Sequence, residues 1–280
     1  MGDALHRRGR PLLGTFVEIA VAPGADVGGA DRADRAVSAA FAAIETVHGL
    51  LSFQDPASDL SRLNGAAGGW VKLDPLTLRA IGLARAMTRL SGGLFNCTVG
   101  GALVERGVLP DHDLSVGLLS GVAEDIEVKP GAARLARPVR LTLDGLAKGL
   151  AVDLAVARLR RAGITHGLVE AGGDLRVFGD IPTPVHRREV DGGLTLLGHL
   201  TNGAVATSRV GGDPDPDQPG WIVAADGVAA KPGLYSVLAR MAWRADALTK
   251  VAATAAVDDR DEAVTRLRGR RVLSDNEAAA

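Results

Sequence analysis

The sequence predicts an α+β fold, because helical runs and β-hairpin signals alternate along its 280 residues. Apolar residues recur at helical spacing in four segments, while glycine-centred turns join short apolar strands. Helix-plus-hairpin groupings occur in both halves of the chain, although no repeat is legible in the letters. Hydrophobic residues make up 46% of the chain and charged residues 23%, enough apolar surface for a full core. Aromatics are scarce, so alanine and valine must fill that core.

Phe16, Val17, Glu18 and Ile19 alternate as a strand does. The preceding basic residues resemble an export signal only in charge: Gly14, Thr15 and Glu18 interrupt the apolar run, and no cleavage site or lipid-accepting cysteine follows. No segment approaches the ~20 apolar residues that span a bilayer. The chain is therefore expected to be cytoplasmic, without membrane insertion. Pro23 to Asp31 reads as a turn, and a helix then runs to about Leu51 with Val37, Phe41, Ile44, Val47 and Leu51 on one face. The polar segment SFQDPASDLSRLNGAAGGW is a loop in which Ser58 to Ser61 form a helical cap and turn. A short strand at Val71 to Leu73 leads into Asp74-Pro75, an N-cap followed by proline at the first helical position. Leu76, Ala80, Leu83, Met87 and Leu90 mark the buried face of that helix, which Ser91-Gly92-Gly93 ends. Pro110 to Arg140 is a connection with short strands.

The most informative stretch is LTLDGLAKGLAVDLAVARLRRAGITHGLVEAGGDLRVFG, from Leu141 to Gly179. Leu141 to Leu143 reads as a short strand, and Gly145 permits an unusual backbone angle or a close approach. The helix that follows buries Val152, Ala155, Val156 and Leu159, and Ala162-Gly163 caps its end. Lys148 and the first free amides thus converge at a helix N-terminus, a usual arrangement for holding phosphate, although glycine and lysine also make ordinary helix starts. Gly167 to Glu170, the Gly172-Gly173-Asp174 turn and Leu175 to Phe178 form a hairpin. Asp174 either orients a ligand or simply forms the turn. Strands are expected near Leu194 to Leu200, Ala204 to Thr207, Trp221 to Ala224 and Tyr235 to Ala242. Gly211 to Gly220 is an exposed loop, a last helix starts near Ala245 with Leu248, Val251 and Ala252 inward, and Ser274 to Ala280 is a loose tail.

The formal charge of −1 supplies no field for nucleic acid or an anionic membrane, so an anionic ligand must be held locally. The single cysteine, Cys97, excludes an intrachain disulfide and reads as a packed core thiol.

Four ordered blocks, RPLLGTFVEI, LSFQDPASDLSRLN, SGGLFNCTVGGAL and LTLDGLAKGLAVD with VEAGGDLRVFG, resemble the FAD:protein FMN transferase family of the ApbE type. AVATS and ADALTK add to the resemblance, which covers Arg10 to about Val257. It implies a duplicated T-fold over residues 1–257, made of two intertwined α+β halves, with 258–280 as an extension. It also implies that FAD binds in a cleft and that Mg²⁺ assists transfer of FMN to a Ser or Thr of a target flavoprotein, with release of AMP. Carried over residue by residue, the flavin-site positions fall at Leu13, Gln54, Leu94, Phe95, Asn96, Thr142, Lys148 and Ile222. The metal positions fall at Gly145, through its carbonyl, and at Asp246, with Asp246 and Lys250 as the catalytic pair.

Several positions depart from the family pattern. Asn96 and Thr142 stand where aspartate is common. The family's His-x-x-Asp-Pro segment reads here as Trp221 to Ala225, and all six histidines (His6, His48, His112, His166, His186 and His199) lie outside it. Trp221 offers a flat apolar surface for a flavin or adenine ring. A Ser or Thr four residues after the metal-binding aspartate is here Lys250. Spacing i to i+4 puts Asp246 and Lys250 on one helix face. They make either a surface ion pair worth under about 1 kcal/mol, or a site in which the ammonium partly replaces Mg²⁺ before the pyrophosphate. The alternative functions are FAD binding without chemistry, and hydrolysis of FAD to FMN and AMP.

Overall fold

The computed structural model describes residues 5–22, 29–112, 117–211 and 222–273. The expectations for most of the Pro23 to Asp31 turn, for Gly212 to Gly220, for Trp221 and for the tail from Ser274 lie outside the described residues.

The chain opens with a hairpin, β1 (His6–Leu12) and β2 (Thr15–Val21), turned by Leu13 and Gly14, both at positive φ. The basic stretch before Leu12 is thus a strand that sequence alone left unassigned; pairing to β2 creates it. Helix α1 (Gly29–Leu51) buries Val37, Phe41, Ile44, Val47 and Leu51, as its spacing predicts. The polar loop contains a further short helix, α2 (Asp59–Asn64), capped by Ser58, whose Oγ accepts a bond from the Ser61 amide at 3.0 Å. After β3 (Val71–Lys72), α3 (Pro75–Leu90) starts at the Asp74 cap. Its buried face differs from the leucine-based reading. Thr77, Ala80, Ile81, Ala84, Met87 and Thr88 point inward, whereas Leu90 is 63% exposed. Small residues and a threonine bonded to Asp59 allow the close approach, and the leucines flank it.

Next come α4 (Gly100–Glu105), β4 (Ile126–Lys129) and β5 (Ala132–Leu135), with β3, β5 and β4 forming a small antiparallel sheet. Leu141 to Leu143 is not a strand. It is held instead by the Asn64 side chain, which bonds both the Leu141 N–H and its carbonyl at 2.8 Å, and by Thr142 N donating to Cys97 O. These bonds hold the segment in place without a ladder.

Helix α5 (Ala147–Arg161) leads to the hairpin β6 (Gly167–Ala171) and β7 (Asp174–Phe178). A second hairpin, β8 (Thr183–Arg188) and β9 (Leu194–Leu200), forms its own sheet, so the proline-bearing segment before Arg188 is a strand. Then follow β10 (Gly203–Val210), β11 (Gly233–Ala239), α6 (Ala242–Thr254), α7 (Arg260–Arg266) and β12 (Gly269–Arg271). At Val223 there is only an isolated bridge to Ala229.

Seven strands make one antiparallel sheet in the order β1-β2-β6-β7-β10-β11-β12. Strand alternation sends Val17, Ile19 and Val21 into the main core with α1, α5 and α6, while Ala20, Leu168 and Val177 make a small cluster on the other face. The architecture is the α+β arrangement of antiparallel sheets and packed helices that the sequence predicts. No helix among the described residues is long and apolar enough to cross a membrane.

Candidate functional site

The turn before α5, the turn between β6 and β7, the end of β10 and the middle of α6 meet at one cleft of about 970 Å³. That volume lies at the upper end of the range for small-molecule and cofactor sites. The flavin-site positions Leu13, Gln54, Leu94, Phe95, Asn96, Thr142, Lys148 and Ile222 all line it, as do Gly145 and Lys250. Asp246 stands behind Lys250, 1% exposed. His48, in the last turn of α1, is the one histidine in the wall among the described residues.

Two glycines explain how the backbone comes so close here. A Cβ on Gly145 would lie 2.8 Å from the Phe95 ring, so glycine serves close approach. A Cβ on Gly149 would lie 2.4 Å from the Ala242 carbonyl oxygen, so this glycine lets α5 and α6 touch backbone to backbone. The Gly149 N–H then donates to Asp246 Oδ2 at 3.3 Å.

Charge is concentrated on the floor. Lys148 lies in the first turn of α5. Burial alone would depress its pKa, but the carboxylates of Asp174, Asp246 and Asp144 outweigh burial and raise it above the ordinary lysine value. Asp174 is 3% exposed, and its Oδ2 has no hydrogen-bond partner. Burial first, and then the adjacent Asp246, push its pKa well up. Asp144 is exposed to the cleft, where Lys148 and Lys250 act on its carboxylate.

Sequence reasoning missed Asp144. The signal was present in LTLDGLAKG: the carboxylate expected at Thr142 returns two residues later, with Thr142 Oγ1 accepting a bond from the Asp144 N–H at 3.4 Å. Asn96 spends its side chain locally, accepting from the Thr98 N–H and hydroxyl and donating to Gly121 O. The Cys97 thiol is pushed up to about 12 by burial and is inert.

The residues present do not fit a bound metal. Lys250 Nζ bonds Asp246 Oδ1 and also donates to Ser208 Oγ at 3.1 Å, while the other oxygen of Asp246 accepts the Gly149 N–H. The Lys250 stem runs beside Gly145, with its Cε 3.7 Å from where a Gly145 Cβ would be. The Lys250 ammonium thus occupies one oxygen of Asp246, in a pair drawn into the protein (18% and 1% exposed) rather than the surface pair that spacing alone allowed. Among the described residues no group of three or more His, Cys, Asp or Glu side chains is arranged to hold a metal ion.

Fold and site together define a protein of α+β class with one large cleft, lined among others by Lys148, Lys250 and Asp144. The ApbE family matches residues 13–212, and the chain belongs to that family. A FAD:protein FMN transferase of Rhodobacter capsulatus is 35% identical over 135 residues, covering 44% of this chain. The match spans only about a quarter of that relative, 26%. Among solved structures, the Vibrio cholerae flavin transferase ApbE in a mutant form superimposes with a TM-score of 0.78 at 19% identity, covering 98% of this chain and 95% of that one. The Pseudomonas stutzeri flavinyl transferase ApbE in its apo form gives 0.75 at 19%, covering 95% and 89%. The ApbE protein of Thermotoga maritima gives 0.74 at 24%, covering 93% and 90%. At these identities the structural likeness concerns the fold.

Proposed function

We propose that this chain is a FAD:protein FMN transferase, moving the FMN moiety of FAD to a Ser or Thr of a target flavoprotein and releasing AMP. The observation that carries this reading is Lys148, in the first turn of α5 and in the wall of a cleft large enough for a dinucleotide, with Asp144 and Lys250 beside it in that wall. Family membership supports it.

In this reading Lys148 and Lys250 face the pyrophosphate and neutralise charge that develops during transfer. Lys250, fixed by Asp246 and Ser208, is a built-in cation in place of a metal. The acceptor hydroxyl oxygen forms a bond to the FMN phosphorus, and the bond from that phosphorus to the bridging oxygen breaks. The electron pair leaves with AMP. Asp144, open to the cleft, takes the hydroxyl proton in place of the family's histidine.

The test incubates purified protein with FAD and a peptide carrying a Thr acceptor, with and without EDTA, following AMP release and peptide mass together. Peptide gaining FMN in step with AMP, undiminished by EDTA, is the expected result. AMP without modified peptide would make the chain a hydrolase, and bound FAD without either product a flavin-binding protein.

A further inference from the structure

A second cavity, of about 270 Å³, lies outside the cleft against α5, α6 and β7. Five arginines line it: Arg79 from α3, Arg158, Arg160 and Arg161 from the end of α5, and Arg176 from β7. One acidic residue lines it, Asp153, and that carboxylate is already committed. Its oxygens accept the Ala242 and Trp243 N–H groups at 3.0 Å and Arg176 Nη1 at 2.6 Å. Arg79, Arg158 and Arg161 have no side-chain partner among the described residues. Arg176 is 11% exposed, and its Nε is buried without a hydrogen bond. Burial and the charge of Arg176 hold Arg160 below the ordinary arginine range.

Arginines near a helix C-terminus are favourable for the helix dipole alone, which accounts for three of these residues. It does not account for Arg79, which comes from another helix, or for Arg176, buried on a strand with an unsatisfied donor. Arg79, Arg158, Arg160 and Arg161 are exposed, and Arg160 also donates to Asn202 Oδ1 at 2.6 Å. Five guanidiniums against one occupied carboxylate give the cavity an excess of positive charge that an anion would offset. Their planar forks match phosphate oxygens two at a time. The rest of the wall includes Leu150, Leu154 and Trp243, which suit a small apolar or planar body.

We propose that this cavity is a binding site for a small phosphorylated organic anion, distinct from the cleft and independent of the reading given to it. Because Trp243 is in the wall, intrinsic fluorescence reports on occupancy. Phenyl phosphate and inorganic phosphate would each be titrated against the full chain at fixed ionic strength. Both should give a saturable change that Trp243→Phe removes, with phenyl phosphate the tighter of the two. The exposed pair Arg158→Gln and Arg161→Gln, made together, should weaken binding by about tenfold or more. An unchanged affinity in that double variant would overturn the proposal. So would an equal loss on neutralising Arg7 and Arg35, since that is a net-charge effect. Sedimentation with phosphatidylglycerol vesicles forms the last arm: association with vesicles but no saturation by phenyl phosphate would assign the arginines to a lipid surface instead.

Discussion

Asp144, Asp174 and Lys250 each invite a direct test. Asp144→Asn removes the proposed proton acceptor while keeping its size, and transfer should fall by about 10²-fold or more, read as AMP release at saturating FAD. An acid limb in the rate profile that belongs to Asp144 should vanish in the variant. Asp174 has the opposite bearing on stability. Its folded-state pKa is raised, so folding favours the protonated form; the contribution is full below pH 3.8 and is lost as pH rises through the folded value. Asp174→Asn should therefore stabilise the protein at pH 7, by roughly 1–3 kcal/mol, with the gain shrinking toward acid pH in denaturation curves. Lys250→Thr should make activity depend on Mg²⁺ and sensitive to EDTA. Unaltered metal and FAD binding in that variant would remove the case for an ammonium acting as the site's cation.

At the level of elements, the contact between α5 and α6 governs the site. Gly149→Ala would drive a methyl into the Ala242 backbone, which neither helix can relieve by turning a side chain. A loss of about 2 kcal/mol or more in chemical denaturation is expected, with FAD affinity falling as Asp246 and Lys148 separate. Some of this was legible in the sequence. The helices α1, α5 and α6, the Asp74-Pro75 start and the β6–β7 hairpin follow from spacing and turn chemistry, because local rules decide them. Strands β1 and β8 were not legible, since their basic and proline-bearing letters become strands only by pairing with a neighbour. Leu141 to Leu143 misled for the reverse reason: its letters suit a ladder, but one amide side chain 77 residues away supplies the bonds.

Across the whole molecule, the cleft gathers residues from Leu13 to Lys250, so its existence is a property of the fold and not of any one motif. A resemblance carried residue by residue could place the lining positions, because order along the chain was enough. The charges Asp144 and Asp174 became visible only with the backbone closed around them. On the proposed function, FAD would touch many of these segments and should raise the melting temperature in step with its concentration, as any ligand specific to the folded state does. Helix α6 has a further consequence. Asp153 holds its first amides, and near its other end the Thr254 hydroxyl donates to the Leu94 carbonyl at 2.6 Å. It is a bar clamped at both ends, so the residue at 250 resembles an interchangeable bit in a fixed chuck. On the proposed reading, an oxygen-bearing residue in place of Lys250 would change the source of positive charge there, while the frame that aims it stays put.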